Sequence, residues 1–167
     1  MKSIPWLIVA TALIGSIVQA VFYWPHLPDE VASHFNAAGQ ADGWMSKTAF
    51  VTFVLLMQIG LAAMMFGIGW LIKVLPISMV NIPNREYWLS EERREQTLEE
   101  SQSMMAWIAA ATAIFLMVIF YLTFEANIGK EKQLNSAVSW ICLFVYMVWL
   151  LVFCVVRLKK YYVLPKE

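Results

Sequence analysis

The stretch that decides the fold is "TAFVTFVLLMQIGLAAMMFGIGWLIKVL", Thr48–Leu75, in which Lys73 near the end is the one charged residue. An α-helix needs about 20 mostly apolar residues to cross a hydrocarbon core of about 30 Å. Three other segments meet this requirement: Ile4–Trp24, Ser103–Phe124 and Ala137–Leu158. A soluble bundle would need polar stripes along these helices, and none is wide enough. The sequence therefore predicts an all-α integral membrane protein, a four-transmembrane-helix bundle forming one domain over residues 1–167.

Composition supports this class and excludes others. Hydrophobic residues make up 60% of the chain and charged residues 14%, against about 45–50% and about 25% in ordinary globular proteins. The net charge is zero and no basic cluster is interleaved with aromatic residues, so we expect no nucleic-acid partner. The sequence contains no HExxH motif, glycine-rich phosphate loop or nucleophile–base arrangement. A non-enzymatic protein is favoured, with no catalytic residue and no required cofactor.

Lysine and arginine are distributed unequally between the two sets of loops. With a cytoplasmic N-terminus, nine fall inside and three outside. The inner set is Lys2, Lys73, Arg85, Arg93, Arg94, Arg157, Lys159, Lys160 and Lys166, and the outer set is Lys47, Lys130 and Lys132. The positive-inside rule then predicts that both termini are cytoplasmic, with an outer loop at 25–47 and a cytoplasmic loop at 76–102. Val18–Ala20 resembles a signal-peptide cleavage site, but the apolar run continues to Trp24, which favours a retained helix.

The outer loop, with its flanking tryptophan, reads "WPHLPDEVASHFNAAGQADGWMSK", Trp24–Lys47. Asp29 has the chemistry of an N-cap, and Val31 and Phe35 begin an apolar i, i+4, i+7 pattern. Gly39 is suited to follow a helix end. We therefore predict a short interfacial helix over Asp29–Ala38, with its apolar face toward the bilayer.

The remaining side chains of the outer loop are candidates for contact with a ligand or partner. They are His26, His34, Phe35, Asn36, Asp42, Trp44 and Lys47. His26, His34 and Asp42 could also bind a divalent metal such as zinc or copper. Their spacing matches no compact ligand motif, so hydrogen bonding or contact with lipid headgroups is the alternative.

The cytoplasmic loop contains "NIPNREYWLSEERREQTLEESQS", Asn81–Ser103. Ser90 followed by two glutamates predicts the start of a charged helix that runs into the third span. Solvent exposure would explain its charged face, and docking of a cytoplasmic partner is the alternative. The candidate partner residues are Tyr87, Trp88, Arg93, Arg94 and Glu95.

Two glutamines, Gln19 and Gln58, are the strongly polar side chains well inside the predicted spans. Each could make an interhelical hydrogen bond or line a substrate pathway. Ala12, Ser16 and Ala20 recur at four-residue spacing, which permits close helix packing. No acidic or basic residue lies near a predicted midplane, which argues against an ion-coupled transporter.

The outer loop resembles the signature of the DUF1648 family, a bacterial membrane domain also found in SdpI-like immunity proteins. The matching residues are Leu27-Pro28, His34-Phe35-Asn36, Gly39, Asp42, Trp44 and Lys47. The segment "IPNREYWLSEERREQT", Ile82–Thr97, is similar to the cytoplasmic loop of short stand-alone members. The two motifs together cover about a quarter of the chain. Many members carry proline where this chain has Ala32.

The resemblance implies a bacterial inner-membrane protein. SdpI-like proteins protect cells against a secreted toxic peptide and hold a transcription repressor at the membrane, but they are longer and have additional helices. The leading hypothesis is a non-enzymatic SdpI-like protein whose outer loop binds a peptide, lipid or protein partner, with a signalling or immunity role. The alternatives are a small accessory or structural subunit of a larger membrane complex, and a metal-binding protein that uses His26, His34 and Asp42.

Overall fold

The computed structural model describes residues 3–164, so Lys2 and Lys166 of the charge count lie outside the described residues. Four long helices dominate the fold: α1 (Ile4–Tyr23), α2 (Lys47–Val74), α4 (Arg94–Ile128) and α5 (Ser136–Tyr162). Strands β1 (Glu30–Phe35) and β2 (Ala41–Ser46) lie between α1 and α2. A 3₁₀ turn (Ile77–Met79) and the one-turn helix α3 (Arg85–Trp88) lie between α2 and α4.

Each of the four long helices is long and apolar enough to cross a membrane. This confirms the prediction of four apolar helices. Outside α4, the helix bounds in the structure differ from the predicted ones by a few residues. The largest difference is in α4, which begins at Arg94 rather than Ser103 and continues to Ile128. The charged first turns of α4 continue into its apolar part without a break. The sequence predicted this continuous helix. The helix begins one turn after Ser90, whose carbonyl accepts hydrogen bonds from the amides of Arg93 and Arg94.

The prediction of an interfacial helix over Asp29–Ala38 is wrong. This segment forms β1, which pairs antiparallel with β2 and places Val31 opposite Met45, with irregular register beyond Ala32. A short apolar pattern does not distinguish a helix from a strand. Valine and phenylalanine also favour strands, so contacts with other elements decide the outcome.

The core lies between α1, α2 and α4, and the hairpin β1–β2 covers one end of these three helices. A large apolar cluster below the hairpin consists of Ala20, Tyr23, Leu27, Val31, Phe50, Val54, Phe120 and Phe124. A second cluster, further along the bundle, consists of Val9, Ala12, Ala109, Ala110 and Ala113. Its alanines allow the helix backbones to approach closely, which is the usual basis of helix association in lipid.

Gln58 joins the three core helices through hydrogen bonds. Its Oε1 accepts from the Ser16 hydroxyl at 2.7 Å, and its Nε2 donates to the Ala113 carbonyl at 3.2 Å. This is the interhelical hydrogen bond that was one of the two expectations for Gln58. The Oε1 atom of Gln19 is buried and has no hydrogen-bond partner within residues 3–164.

Helix α5 lies outside this core and packs chiefly against α4. Halfway along, the Tyr146 ring stacks on Phe115 at 4.6 Å and its hydroxyl lies 2.9 Å from Thr112 Oγ1. Among the described residues, none in the most apolar part of α5 is buried. The helix therefore presents an open apolar face along most of its length.

Candidate functional site

Asn36 builds the turn of the hairpin. Its Oδ1 accepts hydrogen bonds from the amides of Ala38 and Gln40, both at 3.0 Å. Gly39 follows with a φ of +83°, a conformation that glycine adopts without strain. A Cβ at Gly39 would lie 2.2 Å from the carbonyl oxygen of Leu134. The turn therefore requires glycine for both its backbone conformation and its contact with the α4–α5 connection.

His34 and Asp42 form a pair on the open face of the hairpin. His34 Nδ1 lies 2.5 Å from Asp42 Oδ1, and the two side chains are 73% and 43% exposed. A Cβ at Gly43 would approach the Cβ of His34 to 2.9 Å, so a glycine opposite His34 makes room for the pair. A polar pair this exposed contributes little to stability. Because both side chains are exposed, the pair is available to contact a ligand.

Lys47 closes the base of the hairpin. Its amide donates to the Asp29 carbonyl at 2.8 Å and its Nζ donates to the Leu27 carbonyl at 3.3 Å. The same Nζ lies 5.0 Å from the centre of the Trp24 ring. Lys47 is thus occupied by structural contacts.

The side chain of Asn127 fixes the hairpin to α4, which was not predicted. Its Oδ1 accepts from the Ala32 amide at 2.6 Å and its Nδ2 donates to the Ala32 carbonyl at 2.9 Å. Asn127 is buried and takes the place of a third strand at the edge of β1. Nearby, the Tyr23 hydroxyl donates to the Glu125 carboxylate. The sequence signal for this contact was an asparagine directly after an apolar run. The predicted third span ended at Phe124, so the prediction did not include Asn127 in the helix.

The tip of the hairpin also reaches α5 and the connection before it. Trp140 Nε1 donates to the Ala37 carbonyl at 3.2 Å, and the Leu134 amide donates to the Gly39 carbonyl at 2.9 Å. Lys132 Nζ lies 4.9 Å from the centre of the Trp44 ring. The hairpin therefore links the first half of the chain to the last helix.

A cleft of about 440 Å³, here called the hairpin cleft, lies beneath this tip. Its lining is mainly apolar and comprises His34, Phe35, Asn36, Ala37, Phe115, Ile119, Leu134, Ser136, Ser139, Trp140 and Leu143. Phe115 also lines an adjacent apolar pocket of about 370 Å³ between α4 and α5. Such a cleft, apolar with a few polar groups at its edge, can hold an amphipathic ligand.

The structure brings together only some of the predicted outer-loop residues. His34, Phe35 and Asn36 line the hairpin cleft, and Asp42 contacts His34. His26 instead follows the end of α1, where its Nδ1 lies 3.0 Å from the Phe22 carbonyl oxygen. Within residues 3–164, no three histidine, cysteine, aspartate or glutamate side chains are grouped as metal ligands. His26, His34 and Asp42 are therefore not assembled as a three-ligand site.

The predicted partner residues of the second loop lie at the opposite end of the bundle. The Trp88 ring packs edge-on against Tyr161 at 5.5 Å, and the Trp88 carbonyl accepts from the Thr97 hydroxyl at 2.8 Å. Arg93 stacks over Tyr87, with its guanidinium carbon 4.1 Å from the ring centre. These three residues are thus engaged within the chain. Arg94 and Glu95, on the first turn of α4, are exposed.

Residues 7–58 match the family model described as "Domain of unknown function (DUF1648)". The match covers most of α1, the whole hairpin and the first turns of α2. It confirms the DUF1648 resemblance predicted from the outer loop. No curated protein and no solved structure matches the chain significantly.

Proposed function

We propose that this chain, with its DUF1648 domain, is a non-enzymatic, SdpI-like protein of the bacterial inner membrane. Its hairpin would face the extracytoplasmic side and bind a peptide, lipid or protein partner. The observation that carries the proposal is the hairpin cleft, where the exposed His34 and Asn36 stand at the edge of an apolar lining. The nine-to-three distribution of basic residues supports the orientation.

The chemistry of the cleft favours a ligand with both apolar and polar parts. Phe115, Ile119 and Leu143 form apolar walls, and burial there is worth about 25 cal/mol per Å² of apolar surface. His34 and Asp42 offer a hydrogen-bonding pair outside these walls. A signalling or immunity role would follow if binding changed the contacts of the exposed Arg94 and Glu95 at the other end.

The test is photo-crosslinking in intact cells, with a photoreactive amino acid at Phe35 in the cleft or at Glu95 on α4. We expect a discrete adduct from Phe35, identified by mass spectrometry as a peptide, a protein or one lipid species. His26, which is exposed but lies outside the cleft, is the matched control position. Adducts at Phe35 no different from those at His26, or the whole range of bulk lipids from both, would refute the proposal.

A second candidate, an accessory subunit of a larger membrane complex, is favoured by the open face of α5. Among the described residues, the most apolar part of this helix buries none of its side chains. In such a role, a larger membrane protein would cover this face. Copurification with one membrane protein at fixed stoichiometry, lost when Val148 and Val152 are replaced by tryptophan, would support this candidate. Purification without any such protein would count against it.

A further inference from the structure

A small polar pocket lies between α4 and α5 at the end of the bundle opposite the hairpin. Its volume is about 170 Å³. Its polar lining comes from Glu100, Ser101, Arg157 and Lys160, and its apolar lining includes Met104 and Val156. The hairpin cleft shares none of these residues, so the two sites are independent.

The charges in this pocket leave one cation available. Lys160 forms a salt bridge with Glu100, so the opposite charges of these two side chains balance. Arg157 has no acidic partner within residues 3–164, and its guanidinium carbon lies 5.5 Å from the centre of the Phe153 ring. The four polar side chains therefore carry a net charge of +1, the complement of a phosphodiester.

The pocket continues into an apolar groove along α5. Val156 lines both the pocket and this groove, which has a volume of about 570 Å³ and includes Val148, Val152 and Phe153. Tyr161 also lines the pocket and packs against Trp88. Such aromatic residues concentrate at the level of the lipid headgroups. A charged pocket at that level, joined to an apolar groove, matches the layout of a phospholipid.

We propose that this pocket binds one anionic phospholipid. The Arg157 guanidinium holds the phosphate through paired hydrogen bonds, and an acyl chain lies along the groove of α5. Basic pockets between transmembrane helices recognise lipid headgroups in this way. The apolar groove favours a lipid over a soluble phosphate compound, because a soluble compound would leave the groove empty.

The test is native mass spectrometry of the full chain in detergent, titrated separately with phosphatidylglycerol, phosphatidylcholine and glycerol 3-phosphate. We expect one retained phosphatidylglycerol per chain and weaker retention of phosphatidylcholine. A basic residue near the membrane surface is worth about 1 kcal/mol, so Arg157→Gln should weaken phosphatidylglycerol binding about fivefold. Lys73→Gln is the control, because Lys73 lies at the same end of the bundle on α2, outside the pocket.

Equal retention of both lipids would overturn the proposal, as would an equal loss in the Lys73→Gln variant. Binding of glycerol 3-phosphate as tight as that of the lipid would identify a soluble-anion site instead. Ser101→Leu fills the pocket while keeping every charge, and it should also release the lipid. If the Arg157→Gln protein does not fold, the Ser101→Leu variant provides the test. A folded Ser101→Leu protein that still retains the lipid would overturn the proposal.

Discussion

At the scale of single residues, Asn127 shows how one side chain can settle the conformation of a distant segment. Its side-chain amide forms hydrogen bonds with both the N–H and the carbonyl group of Ala32, inside the protein. A buried peptide group without hydrogen bonds is costly, so the pairing holds β1 against α4. The same amide nitrogen also donates to the Thr123 carbonyl at 3.0 Å, which fixes its orientation.

Replacing Asn127 with leucine should loosen the hairpin. The amide and carbonyl of Ala32 would lose their partners, and an unsatisfied buried group costs about 1–3 kcal/mol. We expect a lower midpoint of thermal unfolding in detergent and faster amide hydrogen exchange over residues 30–46. Asn81→Leu, at an exposed position, should leave both measurements unchanged. Unchanged exchange in the Asn127→Leu hairpin would show that other contacts hold it.

Two glycines offer a matched comparison. Gly39→Ala places a Cβ at a φ of +83° and against the Leu134 carbonyl, and the backbone conformation alone costs an L-residue about 1–2 kcal/mol. In the described part of the chain, nothing lies within 4 Å of a Cβ at Gly67. Gly67→Ala should therefore be neutral or stabilising by up to about 1 kcal/mol. Thermal unfolding of both variants checks this, and equal midpoints would contradict it.

At the scale of elements, polar contacts compensate for the weak driving force of helix association in lipid. Small side chains bring α1 and α4 together, and the hydrogen bonds of Gln58 join α2 to both. Helix α5 contacts α4 through Tyr146 halfway along its length, and hydrogen bonds join it to other elements near its two ends. Trp140 reaches the hairpin carbonyl of Ala37 at one end, and the Asn84 side chain reaches the Tyr161 carbonyl at the other.

A double-mutant cycle of Ser16→Ala and Gln58→Leu should measure the bond between α1 and α2. Interhelical hydrogen bonds of this kind average about 0.6 kcal/mol, with a maximum of about 1.7 kcal/mol. We expect a coupling energy in that range from reversible unfolding in detergent, with Gln58→Leu the more harmful single change because it also frees the Ala113 carbonyl. A coupling of zero would mean that the two side chains act independently.

At the scale of the whole molecule, the structure has two polar ends separated by an apolar bundle. The hairpin and the α4–α5 connection form one end, and α3 with the first turns of α4 forms the other. The proposed function requires these ends to lie on opposite sides of a membrane. The positive-inside rule predicts that the hairpin lies on the extracytoplasmic side.

Cysteine labelling tests this orientation. In a background with Cys142 and Cys154 replaced by alanine, Asp42→Cys should react with a membrane-impermeant maleimide in intact cells. Glu95→Cys should react only after the cells are permeabilised, because it is exposed at the other end of the bundle, which the proposed orientation places in the cytoplasm. The reverse pattern would invert the orientation and place the hairpin in the cytoplasm.

The sequence by itself determined the four apolar helices, because apolar length is a local property that needs no knowledge of neighbouring segments. It also carried the DUF1648 signature, which the match over residues 7–58 confirms. Only the tertiary structure decided between a helix and a hairpin at Glu30–Ser46. Short segments have little intrinsic preference, and the deciding partner of Ala32 lies 95 residues away, at Asn127. The hairpin cleft and the pocket beside Arg157 likewise depend on side chains from distant segments, which meet only when the helices pack.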